Sequence, residues 1–333
     1  SDLQTYMCLL TGMDVSNASL LDGASATAEA VLMSLRITKR KKVFLSKTIH
    51  PQYRQTVRTY LQGLSDVTIE EFAWDEKTGL SVMPGNQMDT ACLVVQYPNF
   101  FGVIEGLEPA TAWAKQNQSL LIVVANPHAL AILKSPGSFG ADIVCGEGQP
   151  LGNTMNYGGP GFGFLTTKQT HLRQLPGRIV GRTVDKQGRT AYCLTLQARE
   201  QHIRREHATS NICSNQAWNA LTATVYLSLM GKQGFETAAK TSLLRAHQLY
   251  DQLKIIPGVS FRFSSEFFHE FVWRVPDAQG VLKKLAKKNI FGGVLLEKYY
   301  PELKDCVLSC CTETKTQEEI FQLGSALEFR VSN

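Results

Sequence analysis

Three stretches of this chain carry residues whose types and spacing could do chemistry. The first, Asn17-Ala18-Ser19-Leu20-Leu21-Asp22-Gly23-Ala24-Ser25-Ala26-Thr27-Ala28-Glu29-Ala30, is a run of small side chains that opens a helix. Free backbone N–H groups at a helix start, with hydroxyls beside them, can cradle a phosphate. Close packing of a helix on a sheet demands the same small residues, and both readings stay open. The second, Gly158-Gly159-Pro160-Gly161-Phe162-Gly163, has the glycine spacing of a dinucleotide loop. Such a loop must follow a strand and open a helix. Here a strand-like apolar run follows, so the stretch reads as a tight turn into a close-packed strand, and nicotinamide binding is rejected. The third is the polar segment Arg199 to His207, which gathers Arg199, Glu200, His202, Arg204, Arg205, Glu206 and His207. Glu200 and Arg204 stand at i,i+4, a spacing that adds a few tenths of a kcal/mol to an exposed helix face.

Other chemistries lack their signatures. The sequence has no Walker loop, EF-hand loop, His-Glu-x-x-His or Gly-x-Ser-x-Gly, and apart from His202 and His207 its histidines are dispersed, so no metal site is expected. The eight cysteines include the adjacent pair Cys310-Cys311 but no Cys-x-x-Cys, and most sit in apolar runs. In a chain without a secretory signal they read as buried thiols, and a cytoplasmic location is expected.

These stretches need a frame to position them. At 333 residues, with 44% hydrophobic and 19% charged residues, the chain has a globular composition and length for about two domains. A net charge of +5, with the basic residues scattered, points to no nucleic-acid partner. No apolar run reaches the roughly 20 residues that span a bilayer, so no membrane is expected. Continuous apolar runs at Val43 to Leu45, Val67 to Ile69, Cys92 to Val95 and Leu120 to Val124, with weaker ones at Ile143-Val144 and Phe162 to Leu165, suit strands buried on both faces of a parallel sheet. Helical stretches lie between them at Ala24 to Ile37, Pro51 to Leu64, Glu105 to Gln118 and Pro127 to Leu133. This alternation predicts a doubly wound α/β domain. Long helices are expected over Asn215 to Leu253, interrupted near Gly231. A small α+β unit follows, with strands at Val259 to Phe263, Phe271 to Val275 and Val307 to Cys311 and helices at Asp277 to Lys288 and Thr316 to Phe329. The expected domains are 1–235 and 236–333. The first residues already carry a helical apolar pattern, as in a chain entered midway.

Four stretches together resemble one family. They are Asn17 to Ala24, Gln96-Tyr97-Pro98-Asn99-Phe100-Phe101-Gly102, Pro136 to Gly152 (containing Gly146-Glu147-Gly148-Gln149-Pro150-Leu151-Gly152), and Leu194 to Cys213 (containing Arg199-Glu200-Gln201-His202-Ile203-Arg204-Arg205-Glu206-His207-Ala208-Thr209-Ser210). They look like the α, or first, subunit of the two-chain P-protein of the glycine cleavage system, which normally carries a further N-terminal portion. The resemblance implies a fold type I (aspartate-aminotransferase-like) pyridoxal-phosphate-enzyme architecture. It also implies decarboxylation of glycine and transfer of the aminomethyl group to the lipoyl arm of the H-protein, within a heterotetramer that includes a β subunit.

The resemblance also implies where a cofactor would be held. A pyridoxal enzyme needs an aldimine lysine, but no lysine or arginine lies between Lys134 and Lys168. Lys168 reads as a solvated loop residue. The ring nitrogen of the cofactor needs a carboxylate, and the strand that would supply it ends in Asn126. No catalytic residue is therefore expected in this chain, and pyridoxal phosphate is expected on the partner β subunit. Asp22, Gly23, Ala24, Ser25, His50 and Asn126 are the candidates for a vestigial cofactor pocket. Arg199, Glu200, His202, Arg204, Arg205 and His207 are the candidates for a β-subunit or H-protein interface. The alternatives are a catalytically inactive scaffold of the same fold and, against the empty lysine window, a self-sufficient decarboxylase.

Overall fold

Apolar runs of four to eight residues become strands covered on both faces. The computed structural model describes residues 1–211 and 216–328, so Ile212, Cys213, Asn215 and Phe329 of the stretches above lie outside the described residues. The first part of the chain alternates helix and strand in the order α1 (Asp2–Thr11), β1 (Val15–Ser16), α2 (Gly23–Thr38), β2 (Lys42–Ser46), α3 (Pro51–Leu61), β3 (Thr68–Phe72), β4 (Thr90–Tyr97), α4 (Leu107–Gln116), β5 (Leu120–Ala125), the single turn α5 (Pro136–Phe139), β6 (Ile143–Glu147) and β7 (Gly163–Thr167). These strands form one seven-stranded sheet in the order β1-β7-β6-β5-β4-β2-β3. β3, β2, β4, β5 and β6 run parallel, while β7 is antiparallel to both β6 and β1. The expected mainly parallel sheet of a fold type I enzyme is thus present.

Strand alternation divides the core. Leu93, Val95, Val123 and Val144 pack with Met7 of α1, Trp113 of α4 and residues such as Ala223. Cys92, Val94, Ile122, Val124, Ile143 and Cys145 pack on the other face with Ala26, Ala30 and Met33 of α2 and Val57 of α3. α2 is buried nearly all round, which is why its small residues recur.

After β7 comes a hairpin the sequence reading left unassigned, β8 (Ile179–Val184) paired only with β9 (Thr190–Thr195). The one-turn helix α6 (Gln201–Arg204) follows, then α7 (Ala217–Lys254). α7 is kinked at Gly231, where φ is 59°, matching the expected interruption. β10 (Ser260–Phe261), β11 (Glu270–Arg274), α8 (Ala278–Ala286), β12 (Val294–Leu295), β13 (Cys306–Cys310) and α9 (Gln317–Glu328) complete the chain, and their strands form a separate antiparallel sheet in the order β10-β11-β13-β12. No helix among the described residues is long and apolar enough to cross a membrane. Two expected helices differ. Pro127 to Leu133 contributes only a 3-10 turn at Ala129–Ala131, and α4 starts at Leu107, so Glu105 stands outside it.

The freed Glu105 organises the seam between the two sheets. Its carboxyl group accepts from the Ser81 N–H and hydroxyl, from Asn99 Nδ2 at 2.9 Å and from the Thr48 hydroxyl. Asn99 Oδ1 in turn accepts from the N–H groups of Phe101 and Val103. The turn so fixed presents Phe101 to Phe263, stacked at 4.8 Å, and edge-on to Trp74 and Tyr300. Gly102 lies at φ 83° against the second sheet, where a Cβ would sit 1.9 Å from the Glu270 carbonyl oxygen. Gly102→Ala combines backbone strain with a backbone clash and is expected to cost roughly 2–5 kcal/mol in denaturant unfolding; a loss below about 1 kcal/mol would contradict this packing. Burial holds Glu105 above the ordinary carboxylate range against the pull of Asn99, Ser81 and Thr48. Because the folded value exceeds the unfolded one, the stability linked to this group is complete at low pH and is lost as pH rises through the folded value. Urea titrations from about pH 4 to 8 should therefore show the stability of wild type relative to Glu105→Gln falling as pH rises, and a pH-independent difference would contradict it.

Candidate functional site

In open parallel sheets, ligand crevices form at the carboxyl ends of the strands beside the point where strand order reverses. Here β3-β2-β4-β5-β6 reverses between β2 and β4. A small cavity of about 120 Å³ lies at that edge, lined by His50, Tyr53, Gln96, Asn126, Glu147 and Pro150. His50 and Tyr53 come from the start of α3, Gln96 from β4, Asn126 from the end of β5 and Glu147 from the end of β6.

The helix start at Asp22 to Ser25 forms as a closed cap. The Asp22 carboxylate accepts from the Ser25 N–H at 2.7 Å, and the Ser25 hydroxyl accepts from the Asp22 N–H. The Gly23 N–H points at the end of β6 and donates to Glu147 Oε2 at 2.9 Å. Glu147 Oε1 accepts from Gln149 N–H at 2.9 Å and Phe162 N–H at 3.0 Å. The glycine stretch 158–163 thus ends by delivering a donor to Glu147, and Gly163 abuts Asp22 so closely that a Cβ would lie 2.2 Å from the Asp22 oxygen. Both readings of the small-residue run therefore apply at once: Gly23 has no room for a side chain, a Cβ there lying 2.3 Å from the Tyr53 hydroxyl, and its N–H does hold an acidic group, one that the chain itself provides. Burial raises the Glu147 carboxyl above its ordinary range, against its three backbone donors and with Asp22 adding to the rise. Burial, with Glu147, Asp22 and Cys145 adding, keeps Tyr53 a neutral phenol.

Asn126 has both ends of its amide engaged. Oδ1 accepts from the His128 N–H at 3.0 Å, which turns Nδ2 toward His269 Nε2 at 3.1 Å. Burial, with His128 adding, lowers His269 to a pKa of about 3, so the ring is neutral and its Nε2 is the acceptor. His269, Glu270 and Cys310, brought together by β11–β13 pairing, have potential ligand atoms within 4.8 Å of one another. The amide contact leaves the proton on Nδ1, the nitrogen 4.0 Å from Glu270, so the ring offers a cation no lone pair there. His50 caps α3 through Nδ1, which accepts from Gln52 N–H, and packs edge-on against Phe100. Burial, helped by Arg54, lowers His50 to about 4, so it too is uncharged at neutral pH.

The polar segment divides by direction. Arg199 turns inward, donating to the carbonyls of Leu175 and Gly177, and Glu200 is nearly as buried. His202 is exposed at the rim of a second cavity of about 110 Å³ beside Arg178 and Arg199. Arg204, Arg205 and His207 face outward. The expected Glu200–Arg204 pairing does not form: Arg204 Nε donates to the Ala198 carbonyl, and the cation nearest Glu200 is Arg199 at 4.0 Å. A one-turn α6 is too short to set an i,i+4 pair. Ser210 closes the segment onto α2 by donating to Glu29 at 2.7 Å.

Lys168 is not simply solvated. It pairs with Asp142 at the opposite end of β6 from Glu147. Five residue steps lead from Asp142 to Glu147, about 17 Å at 3.3 Å per step, so Lys168 cannot serve the cavity. The donor set does not fit pyridoxal phosphate: the cavity has no lysine, Glu147 fills the anion position, and Asn126 has no charge and no free amide atom. Its volume is also well under the roughly 300–1,000 Å³ of ordinary ligand pockets. Sequence reading missed Glu147, Tyr53, Gln96 and His269. The signal for Glu147 was available, an acid standing alone in the window searched for a lysine.

The chain also matches known proteins. The model of the glycine cleavage system P-protein family matches residues 2–327. The chain is 50% identical over 331 residues to a protein of Desulforamulus reducens named probable glycine dehydrogenase (decarboxylating) subunit 1, and 48% identical to its namesake in Thermotoga maritima; in each case the match covers 98% of this chain and 74% of the relative. Among solved structures, a glycine decarboxylase (P-protein) of the glycine cleavage system in inhibitor-bound form superposes with a TM-score of 0.94 at 39% identity, covering 98% of this chain and 74% of that one. C-DES with glycine covalently linked to its PLP cofactor superposes at 0.67 with 15% identity, which shows a shared fold. The two curated relatives above are each named subunit 1, and the chain belongs to the glycine cleavage system P-protein family.

Proposed function

We propose that this chain is the non-cofactor-bearing subunit of a glycine decarboxylase. Its partner, subunit 2, holds pyridoxal phosphate. Together they release the glycine carboxylate as carbon dioxide and pass the aminomethyl group to the lipoyl arm of the H-protein. The observation that carries this reading is the cavity at the ends of β5 and β6, where Glu147 and Asn126 stand and no lysine reaches. On this reading Asp22, Gly23, Ala24, Ser25, His50 and Asn126 are the remains of a cofactor pocket, now held by internal hydrogen bonds. The assembly is a cytoplasmic heterotetramer, and the chain divides into units 1–235 and 236–333; the separate core of Ala246, Leu249 and Trp273 supports that division.

A second observation supports an obligate partner. No charged residue falls between His207 and Lys232. Along α7 in that span Trp218, Leu221, Val225 and Leu229 recur at helical spacing and stay exposed, Trp218 by 79% and Leu229 by 82%. An uncharged apolar stripe of this kind marks a protein interface, and we assign it to subunit 2. The outward side chains His202, Arg204, Arg205 and His207 are proposed as polar contacts of the subunit or the H-protein, with Arg199 and Glu200 shaping the loop behind them.

Two measurements follow. The chain mixed with subunit 2 and H-protein is expected to catalyse glycine–bicarbonate exchange that neither subunit shows alone, and Trp218→Glu should weaken subunit association by about tenfold or more in sedimentation, since a central aromatic anchor carries 2 kcal/mol or more; exchange by this chain alone, or unchanged association, would overturn the reading. Asn126→Ala leaves the His128 N–H and His269 without partners and is expected to cost about 1–3 kcal/mol in denaturant unfolding, while leaving exchange by the folded complex intact. A fall in the exchange rate of the folded complex would show that Asn126 serves the reaction.

A further inference from the structure

The second sheet ends beside an apolar groove that has no part in the cavity or in the α7 stripe. The strand order β10-β11-β13-β12 leaves β12 at an edge, paired only with β13 through Val294 and Leu295. Along that edge lies a groove of about 410 Å³, larger than the 120 Å³ cavity of the main sheet. One wall is a face of α8 that carries Leu282 and Ala286. The other is the segment with Ile290, Phe291, Val294 and Leu295. The backbone of that segment is fixed by the core. The Ile290 N–H donates to the Leu285 carbonyl, and the Ser309 hydroxyl donates to the Gly292 carbonyl. Gly293, at φ 148°, lies so close to β13 that a Cβ would sit 2.4 Å from the Leu308 carbonyl oxygen. With its backbone pinned on both sides, Phe291 stands 90% exposed at the lip of the groove. An exposed aromatic ring on a fixed loop, beside recessed apolar side chains, is the make-up of a docking site.

The rim of the groove carries one sign of charge. From Ala278 to Leu296 the sequence has four lysines and no acid. Lys283 and Lys298 line the groove. With Lys284 and Lys287 they are exposed and make no ion pair among the described residues. Glu297, the next acid along the chain, does not line the groove, and Glu319, in the adjoining cavity that Phe291 also borders, is paired with Lys315 at 3.5 Å. We infer that this groove docks an acidic partner protein through an extended segment laid between α8 and β12, whose apolar side chains enter beside Phe291 and whose carboxylates meet Lys283 and Lys298. An extended chain fits because the walls are a helix face and a sheet edge, and an edge strand offers its backbone to a further strand. A bilayer surface fits less well, since the recessed Leu282, Ile290 and Leu295 are reached only by a narrow segment. The α7 stripe is uncharged and this groove is basic, so the two surfaces suit partners of different chemistry.

The test titrates the full chain with a short fluorescein-labelled peptide of alternating glutamate and leucine, read by anisotropy. Controls are the same peptide with lysine for glutamate, the same peptide with serine for leucine, and vesicles of phosphatidylserine and phosphatidylcholine. Wild type is expected to bind the acidic apolar peptide saturably and to bind neither control peptide. Phe291→Ser, and the double variant Lys283→Glu with Lys298→Glu, should each weaken binding about tenfold or more, and raising salt from about 0.05 to 0.5 M should weaken binding to wild type. Both variants change exposed side chains and should keep the wild-type melting temperature, which checks their fold. Trp218→Glu, on the separate α7 face, should bind the peptide as wild type does. No binding by wild type, equal binding of the lysine peptide, unchanged binding by either variant, or loss of binding in Trp218→Glu would overturn the inference. Binding of the vesicles, but not the peptide, in a manner that needs Phe291 would overturn it in favour of a membrane surface.

Discussion

The three hydrogen bonds that Glu147 accepts, one of them from the N-terminus of α2, hold the carboxyl edge of the main sheet together. One side chain ties the end of β6, the start of α2 and the turn into β7. Each of those segments is otherwise a place where backbone N–H groups would face a crevice without partners, at a cost of about 1–3 kcal/mol for each buried donor left unmet. The neighbouring features follow from this closure. Gly23 and Gly163 must lack side chains because helix and strands meet at backbone distance. Tyr53 remains a neutral phenol because it is buried, with two acids beside it adding to the effect.

Asn126 does at the end of β5 what Glu147 does at the end of β6. A carboxylate in its place would serve a charged ring nitrogen; the amide instead joins the His128 backbone to His269 on the border of the second sheet. The cavity residues therefore spend their polar atoms on one another and on the seam between sheets. The same economy governs the seam at Glu105, Asn99 and Gly102, where a motif that marks the family shapes a turn. Family motifs in this chain thus fall into two kinds: those whose polar atoms are spent inside the chain, and the segment after Arg199, where His202, Arg204, Arg205 and His207 face solvent.

Much of the frame was legible in the sequence because strands buried on both faces leave continuous apolar runs. β2, β4, β5 and β6 all fall where such runs predicted them, and the kink in α7 falls at the glycine that announced it. β8 and β9 were missed because an exposed hairpin paired only with itself has no apolar run. The helix expected at Pro127 to Leu133 shrinks to a single 3-10 turn: the Asn126 side chain caps its start, but the backbone leaves helical geometry at Ile132. At the site, the missing lysine and the asparagine could be read directly. The lone acid Glu147 was visible in the empty lysine window, but its engagement was not, since that depends on the distant Gly23 and Phe162 N–H groups meeting at its carboxyl group.

The account makes this chain a closed copy of a cofactor-binding fold that works through its partner. The cofactor content of the assembled complex tests that most directly. Pyridoxal phosphate released from the purified complex of this chain with subunit 2, measured against protein, is predicted to amount to one molecule per pair of subunits, all of it recovered on subunit 2 after borohydride reduction and digestion. Two molecules per pair, or a reduced adduct on any lysine of this chain, would contradict it.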